Sequence, residues 1–113
     1  MHELGYATEL VATLEELMVK EKLTEITEVT LTCGEATGII PKYMYDCWPA
    51  AIEGTKLEKC LLKVETVPAW GRCRDCEERY VVSLTHGHCP KCGSEDYDME
   101  TGYEFEVTEI RGR

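Results

Sequence analysis

No stretch of the 113-residue sequence approaches the roughly 20 apolar residues that a membrane-spanning helix needs. Near the amino terminus, Glu3, Glu9, Glu15 and Glu16 interrupt any apolar run, so a secretory leader is not expected and a cytoplasmic protein is. Basic residues are few: 12 Lys and Arg stand against 22 Asp and Glu, for a net charge of -10. A surface of that sign repels phosphate, which argues against electrostatic binding of nucleic acid or of an anionic membrane. The sequence also lacks an internal repeat longer than a cysteine pair, a low-complexity segment, a phosphate-cradling glycine loop and a nucleophile motif. An enzyme is therefore not expected. What is present, 43% apolar and 30% charged residues, is the composition of one folded domain or of a small domain with an appendage.

Seven cysteines call for an account. An odd number fits a secreted disulfide framework poorly, and in a reducing compartment paired cysteines point first to metal. Cys73-Arg-Asp-Cys76 and Cys89-Pro-Lys-Cys92 are separated by twelve residues. Each pair places two thiolates on one side of an ion, and two pairs complete a tetrahedron with Zn–S of about 2.3 Å. Gly93 suits a turn whose backbone amides face the sulfurs. The same donors also suit iron, and two disulfides or four free thiols are the alternative to any metal. Four thiolates close the coordination sphere, so the site reads as structural. Large apolar side chains are few around it (Trp70, Tyr80, Val81, Val82, Leu84), so metal binding of roughly 10–16 kcal/mol would dominate folding there. His86 and His88 read as loop residues or as donors to sulfur rather than as ligands, although their nearness could make the site respond to mildly acidic pH. Cys33 and Cys60 read as small hydrophobes; Cys47 is left open because Pro49 disturbs its helix.

The apolar period places these residues on elements. Leu4, Ala7, Val11, Leu14 and Met18, widened by Leu10 and Leu17, describe a helix over 4–18 that begins almost at Met1. Val29, Leu31 and Cys33 alternate with Thr30 and Thr32, as a strand does. Gly34 and Gly38 frame a turn. Pro41 opens a second helix that runs to Gly54, with a kink or break expected after Cys47 because of Pro49. Leu57 to Val67 alternates again, with Cys60, Leu62 and Val64 on one face. Tyr103, Phe105 and Val107 form a last strand. One wet face on each favours antiparallel neighbours. The expected class is α/β (α+β): a small antiparallel-rich sheet with two helices in residues 1–67 and 98–113, and an inserted zinc-ribbon-like four-cysteine module in 68–97.

Met1-His2 is the other informative feature. A large second residue leaves Met1 in place. The free amine, the His2 amide nitrogen and its imidazole Nδ1 can then close adjacent chelate rings on one ion. Four nitrogens in a plane suit Ni(II) or Cu(II), and the Glu3 amide can be the fourth, since first-turn amides have no helical partner. The positive end of the helix dipole and the proton on the amine oppose such a site. Glu3 and the acidic surface partly offset both.

Met1-His2-Glu3-Leu4, the Gly34-Glu35-Ala36-Thr37-Gly38 turn, Val67-Pro68-Ala69 leading into Cys73-Arg-Asp-Cys76, and Cys89-Pro-Lys-Cys92-Gly93 before a final strand resemble, together and in this order, the hydrogenase-maturation nickel metallochaperone family, HypA/HybF. The resemblance covers essentially the whole chain. It implies an accessory factor that delivers Ni(II) to the large subunit of [NiFe]-hydrogenase with a partner GTPase, some relatives also serving urease. It implies cargo nickel on the Met1 amine, His2 and the Glu3 backbone, structural zinc on Cys73, Cys76, Cys89 and Cys92, and a small α/β nickel domain with a protruding zinc domain. Two residues depart from the family pattern. Gly5 stands where Ser is common, and Pro49 interrupts a helix that is usually continuous. The expected state is a monomer, with a dimer through exposed strand edges as the alternative. The competing reading is a zinc-ribbon protein–protein interaction module without nickel transfer.

Overall fold

Apolar side chains recurring every three to four residues wind the start of the chain into a helix, and a strand, a second helix and five strands follow. They run α1 (His2–Lys20), β1 (Ile26–Gly34), α2 (Pro41–Ile52), β2 (Leu61–Val67), β3 (Trp70–Cys73), β4 (Arg79–Val81), β5 (Tyr97–Met99) and β6 (Phe105–Gly112). The structure, a computed structural model, describes residues 2–113, the side chain of His2 excepted. Two small sheets form, one in the order β2-β1-β6 and one in the order β4-β3-β5. No helix among the described residues is long and apolar enough to cross a membrane. By backbone proximity the chain divides into two compact units, Met1–Thr32 with Ile39–Glu65 and Glu106–Arg113, and Cys33–Gly38 with Thr66–Phe105.

In the first unit, Ala7, Leu10, Val11, Leu14 and Met18 of α1 are buried, as the period requires. Leu4, at the start of the stripe, is exposed instead. The helix packs against α2. In β1, Val29 and Leu31 are buried and so is Thr30 on the opposite face, as befits the middle strand. Its pairing with β6 is antiparallel: Arg113 N–H donates to Glu25 O at 2.9 Å, and the hydroxyls of Thr32 and Thr108 meet at 2.9 Å.

The break expected at Pro49 does not occur; α2 is continuous from Pro41 to Ile52. An interior proline costs about 3 kcal/mol of helix stability. Burial of Met44, Cys47, Trp48 and Ile52 offsets it, and Trp48 Nε1–H donates to Cys60 O at 2.9 Å, pinning the turn that contains the proline. Strand β2 starts at Leu61 rather than Leu57. Leu57 and Cys60 are buried in a turn instead, with Leu57 N–H on Thr55 Oγ1 and Cys60 N–H on Leu57 O. The edge of β2 is covered from α2, where Tyr45 Oη accepts from Val64 N–H at 2.8 Å. Tyr103 lies outside the last strand and is exposed.

The second unit holds three strands of three or four residues, too short to leave an alternation in the sequence. Strand β3 pairs antiparallel with both others, Gly71 opposite Tyr80 on one side and Met99 on the other. A Cβ at Gly71 would lie 2.8 Å from Val82 Cγ2, so this pairing leaves no room for a side chain. The core consists of Cys73, Tyr80 and Cys89, with Cys76, Val82 and Tyr97 packed against them. Cys33–Gly38 belongs to this unit because the turn after β1 binds the approach to β6: Ala36 N–H donates to Gly102 O at 2.8 Å and Gly34 N–H to Glu104 O at 2.7 Å.

Candidate metal centre

The two cysteine pairs fold into the same turn. After β3, Cys73 N–H donates to Glu78 O at 2.8 Å and Glu77 N–H returns to Cys73 O at 2.9 Å. Sixteen residues later Cys89 N–H donates to Ser94 O and Gly93 N–H to Cys89 O, both at 2.8 Å. The fifth residue of each turn is left-handed, with φ of 66° at Glu77 and 78° at Gly93. Glycine takes that conformation without cost; glutamate does not. Inside each turn an amide faces sulfur: Asp75 N–H lies 3.4 Å from Cys73 Sγ, and Lys91 N–H 3.4 Å from Cys89 Sγ.

All four sulfurs lie within 4.8 Å of one another. The closest approaches run between the turns, 3.6 Å for Cys73 and Cys92 and 3.5 Å for Cys76 and Cys89. A tetrahedron with Zn–S of about 2.3 Å has edges of about 3.8 Å, so the cage has the right size. Cys73 and Cys89 are buried, Cys76 is half-buried and Cys92 is exposed.

The protonation of the cluster points the same way. The Cys76 amide, foremost, holds the Cys73 thiol below its ordinary value. Burial works against ionising Cys89, but the amides of Cys92 and Lys91 outweigh it and bring it down to about 7. The Glu78 amide favours a Cys76 thiolate, yet burial and the neighbouring sulfurs push it up to about 12. Cys73 and Cys89 are thus held below their ordinary value and Cys76 and Cys92 above it, a conflict among crowded sulfurs that a divalent cation among them would relieve. The donor set fits zinc.

Among the described residues, these four are the one group of His, Cys and acidic side chains gathered within metal-binding reach. His86 and His88 do not join it. His86 caps a short 3-10 turn in a left-handed conformation, and His88 Nε2 sits 3.3 Å from Glu95 Oε1. Cys33 and Cys60 are buried single thiols; burial raises both, and with help from the Glu28 charge it takes Cys60 to about 11. Cys47 is buried on α2 beside a cleft of about 340 Å³ lined with Glu3, Tyr43 and Asp46.

Of the amino-terminal ligands expected from the sequence, Met1 and the His2 side chain lie outside the described residues. Glu3 falls in the first turn of α1, where amides have no carbonyl four residues back. Its carboxylate has a task the sequence did not reveal: Glu3 Oε2 accepts from the N–H of Ile40, the capping residue of α2, at 3.3 Å.

A family model described as hydrogenase/urease nickel incorporation, metallochaperone, hypA matches residues 1–112. The chain is 36% identical over 107 residues to a hydrogenase maturation factor HypA of Geotalea daltonii, covering 95% of this chain and 94% of that one. It is 35% identical over 85 residues to the factor of the same name in Geotalea uraniireducens, covering 75% and 77%. In fold it resembles the solution structure of the Ni metallochaperone HypA from Helicobacter pylori, with a TM-score of 0.69 at 20% identity, over 97% of this chain and 96% of that one.

Proposed function

The chain belongs to the HypA family of nickel metallochaperones for hydrogenase maturation, and from that premise we propose that it carries Ni(II) on its amino terminus and hands it to a nickel-free enzyme precursor. The observation that carries this reading is the coincidence of a whole-chain family match with the sequence Met1-His2-Glu3, whose described part, from His2, opens α1. The Met1 amine, the amide and imidazole nitrogens of His2 and the Glu3 amide supply the planar nitrogen set that Ni(II) favours. The Glu3 carboxylate is occupied with Ile40 N–H, which supports a backbone role for this residue at the ion.

The division of labour between the two sites follows from their openness. Four thiolates fill every position around zinc, so the Cys73, Cys76, Cys89 and Cys92 site serves shape and partner recognition and has no position for cargo. A terminal site on the surface can be dismantled one ligand at a time by an acceptor. The acceptor is the large subunit of [NiFe]-hydrogenase, and a GTPase assists the transfer. No chemistry is performed on the cargo; it changes ligands only.

Acetylating the α-amine tests this reading. Nickel transfer from the loaded protein to a nickel-free hydrogenase large-subunit precursor is expected to vanish while zinc content stays unchanged. Undiminished transfer from the acetylated protein would overturn the terminal site, and no transfer even from the unmodified, nickel-treated protein would favour an interaction module.

A further inference from the structure

The two cysteine turns come from separate segments of the chain, and the backbone bonds described above close each turn only upon itself. A separate set of contacts joins them. Ser94, whose carbonyl closes the second turn on Cys89 N–H, donates its hydroxyl to the Asp75 carboxylate in the first turn. Asp75 in turn presents its amide to Cys73 Sγ at 3.4 Å. The same hydroxyl accepts from Asp96 N–H at 3.1 Å, which fixes its direction. Beside it, Arg74 N–H donates to Asp96 O at 2.9 Å, and the Arg74 guanidinium reaches the carboxylates of Asp96 and Asp98. The residue pair between Cys73 and Cys76 thus grips the segment that follows Cys92.

We propose that Asp75 and Ser94 form a clasp that holds the two cysteine turns at tetrahedral spacing and thereby sets how tightly the protein retains zinc. Neither residue is a ligand; both are positioning residues. The clasp matters here because the apolar core of the module is small, being the cysteines themselves with Tyr80, Val82 and Tyr97, so polar ties carry much of the spacing between the turns. Without the clasp the nearest ties between the turns are those of Arg74 to Asp96 and the β3–β5 pairing, which begin two residues beyond Ser94, and a cage open by even a few tenths of an ångström loses Zn–S overlap. Groups that orient ligands in this way typically govern metal affinity by 10–100-fold, and that is the expected range.

The test is competition for zinc between the full-length zinc-loaded protein and a colorimetric chelator, run on wild type, Ser94→Ala, Asp75→Ala and the double variant. Each single variant is expected to lose zinc affinity by roughly 10–100-fold, and the double variant no more than either single one, because both remove the same bond. Ser94→Thr keeps the hydroxyl and is expected to restore wild-type retention. Arg72→Ala breaks the ion pair with Glu100 at 3.2 Å in the same module and is expected to leave retention unchanged, which separates the clasp from general loosening. With cobalt in place of zinc, the tetrahedral-thiolate absorption should keep its position in every variant. Wild-type retention in Ser94→Ala and Asp75→Ala would overturn the proposal. So would losses that add in the double variant, or an equal loss in Arg72→Ala. A wild-type protein that holds no zinc would overturn the cage assignment, and the clasp with it.

Discussion

Stripping zinc with a strong chelator is expected to unfold residues 66–105 while most of the helical ellipticity survives. Both α-helices lie in the first unit, whose core contains Leu10, Leu14, Val29, Leu31, Met44, Trp48 and Leu57. The second unit has little apolar burial apart from its cysteines and the Tyr80–Tyr97 edge-to-face pair, with ring centroids 6.1 Å apart. Segments of about 40 residues seldom fold alone without a staple, and structural zinc supplies roughly 10–16 kcal/mol in comparable peptides. Its surface ion pairs, Arg72 and Arg79 on Glu100 and Arg74 on Asp96 and Asp98, are exposed and contribute little beside that. Cys89→Ser should act as the chelator does. Hydrogen exchange is the direct readout: amides of β3 should lose protection while those of α1 keep it. Protected β3 amides in the metal-free protein would contradict this account.

Replacing Gly34 by alanine is expected to be the most damaging single methyl addition in the chain. A Cβ there would lie 2.0 Å from the carbonyl oxygen of Gly102, and backbone of this kind cannot swing aside as a flexible side chain can. Moving Gly102 would also break its acceptance of Ala36 N–H and strain a residue held at φ 123°. A loss above about 4 kcal/mol is expected, a large share of a typical domain's stability. Gly5→Ala is the matched control. Nothing lies within 4 Å of its Cβ, and in the first turn of α1 the change should stabilise by about 0.5–1 kcal/mol. Denaturant midpoints of the two variants should therefore move in opposite directions; a Gly34→Ala midpoint near wild type would refute the close approach.

The long periodic segments were legible in the sequence because burial repeats along them: Ala7, Leu10, Val11, Leu14 and Met18 of the α1 stripe are buried, with Leu17 half-buried at its margin, and so are Val29, Leu31 and Cys33. The cage was legible too, since cysteine spacing encodes metal geometry directly. The short strands β3, β4 and β5 were not, because a three-residue strand carries no period and its pairing is dictated by partners distant in sequence. Leu57 and Cys60 mimicked strand alternation while being buried from a turn. Pro49 was misleading for a different reason: the penalty is local, and tertiary burial around Trp48 exceeds it. The ties made by Asp75, Ser94 and the Glu3 carboxylate could not be read at all. They are polar residues whose partners become neighbours only after folding.

The most direct test of nickel carriage is a Ni(II) titration of the zinc-loaded protein, comparing wild type, His2→Ala and Glu3→Gln near the α-amine pKa of about 7.7. Wild type should bind a single equivalent as a yellow, diamagnetic complex, the signature of planar nitrogen coordination. Glu3→Gln keeps the backbone nitrogen and should match it, whereas His2→Ala should lose that equivalent and retain zinc. Equal nickel binding by wild type and His2→Ala would contradict the terminal site, and no specific binding by wild type would contradict nickel carriage itself.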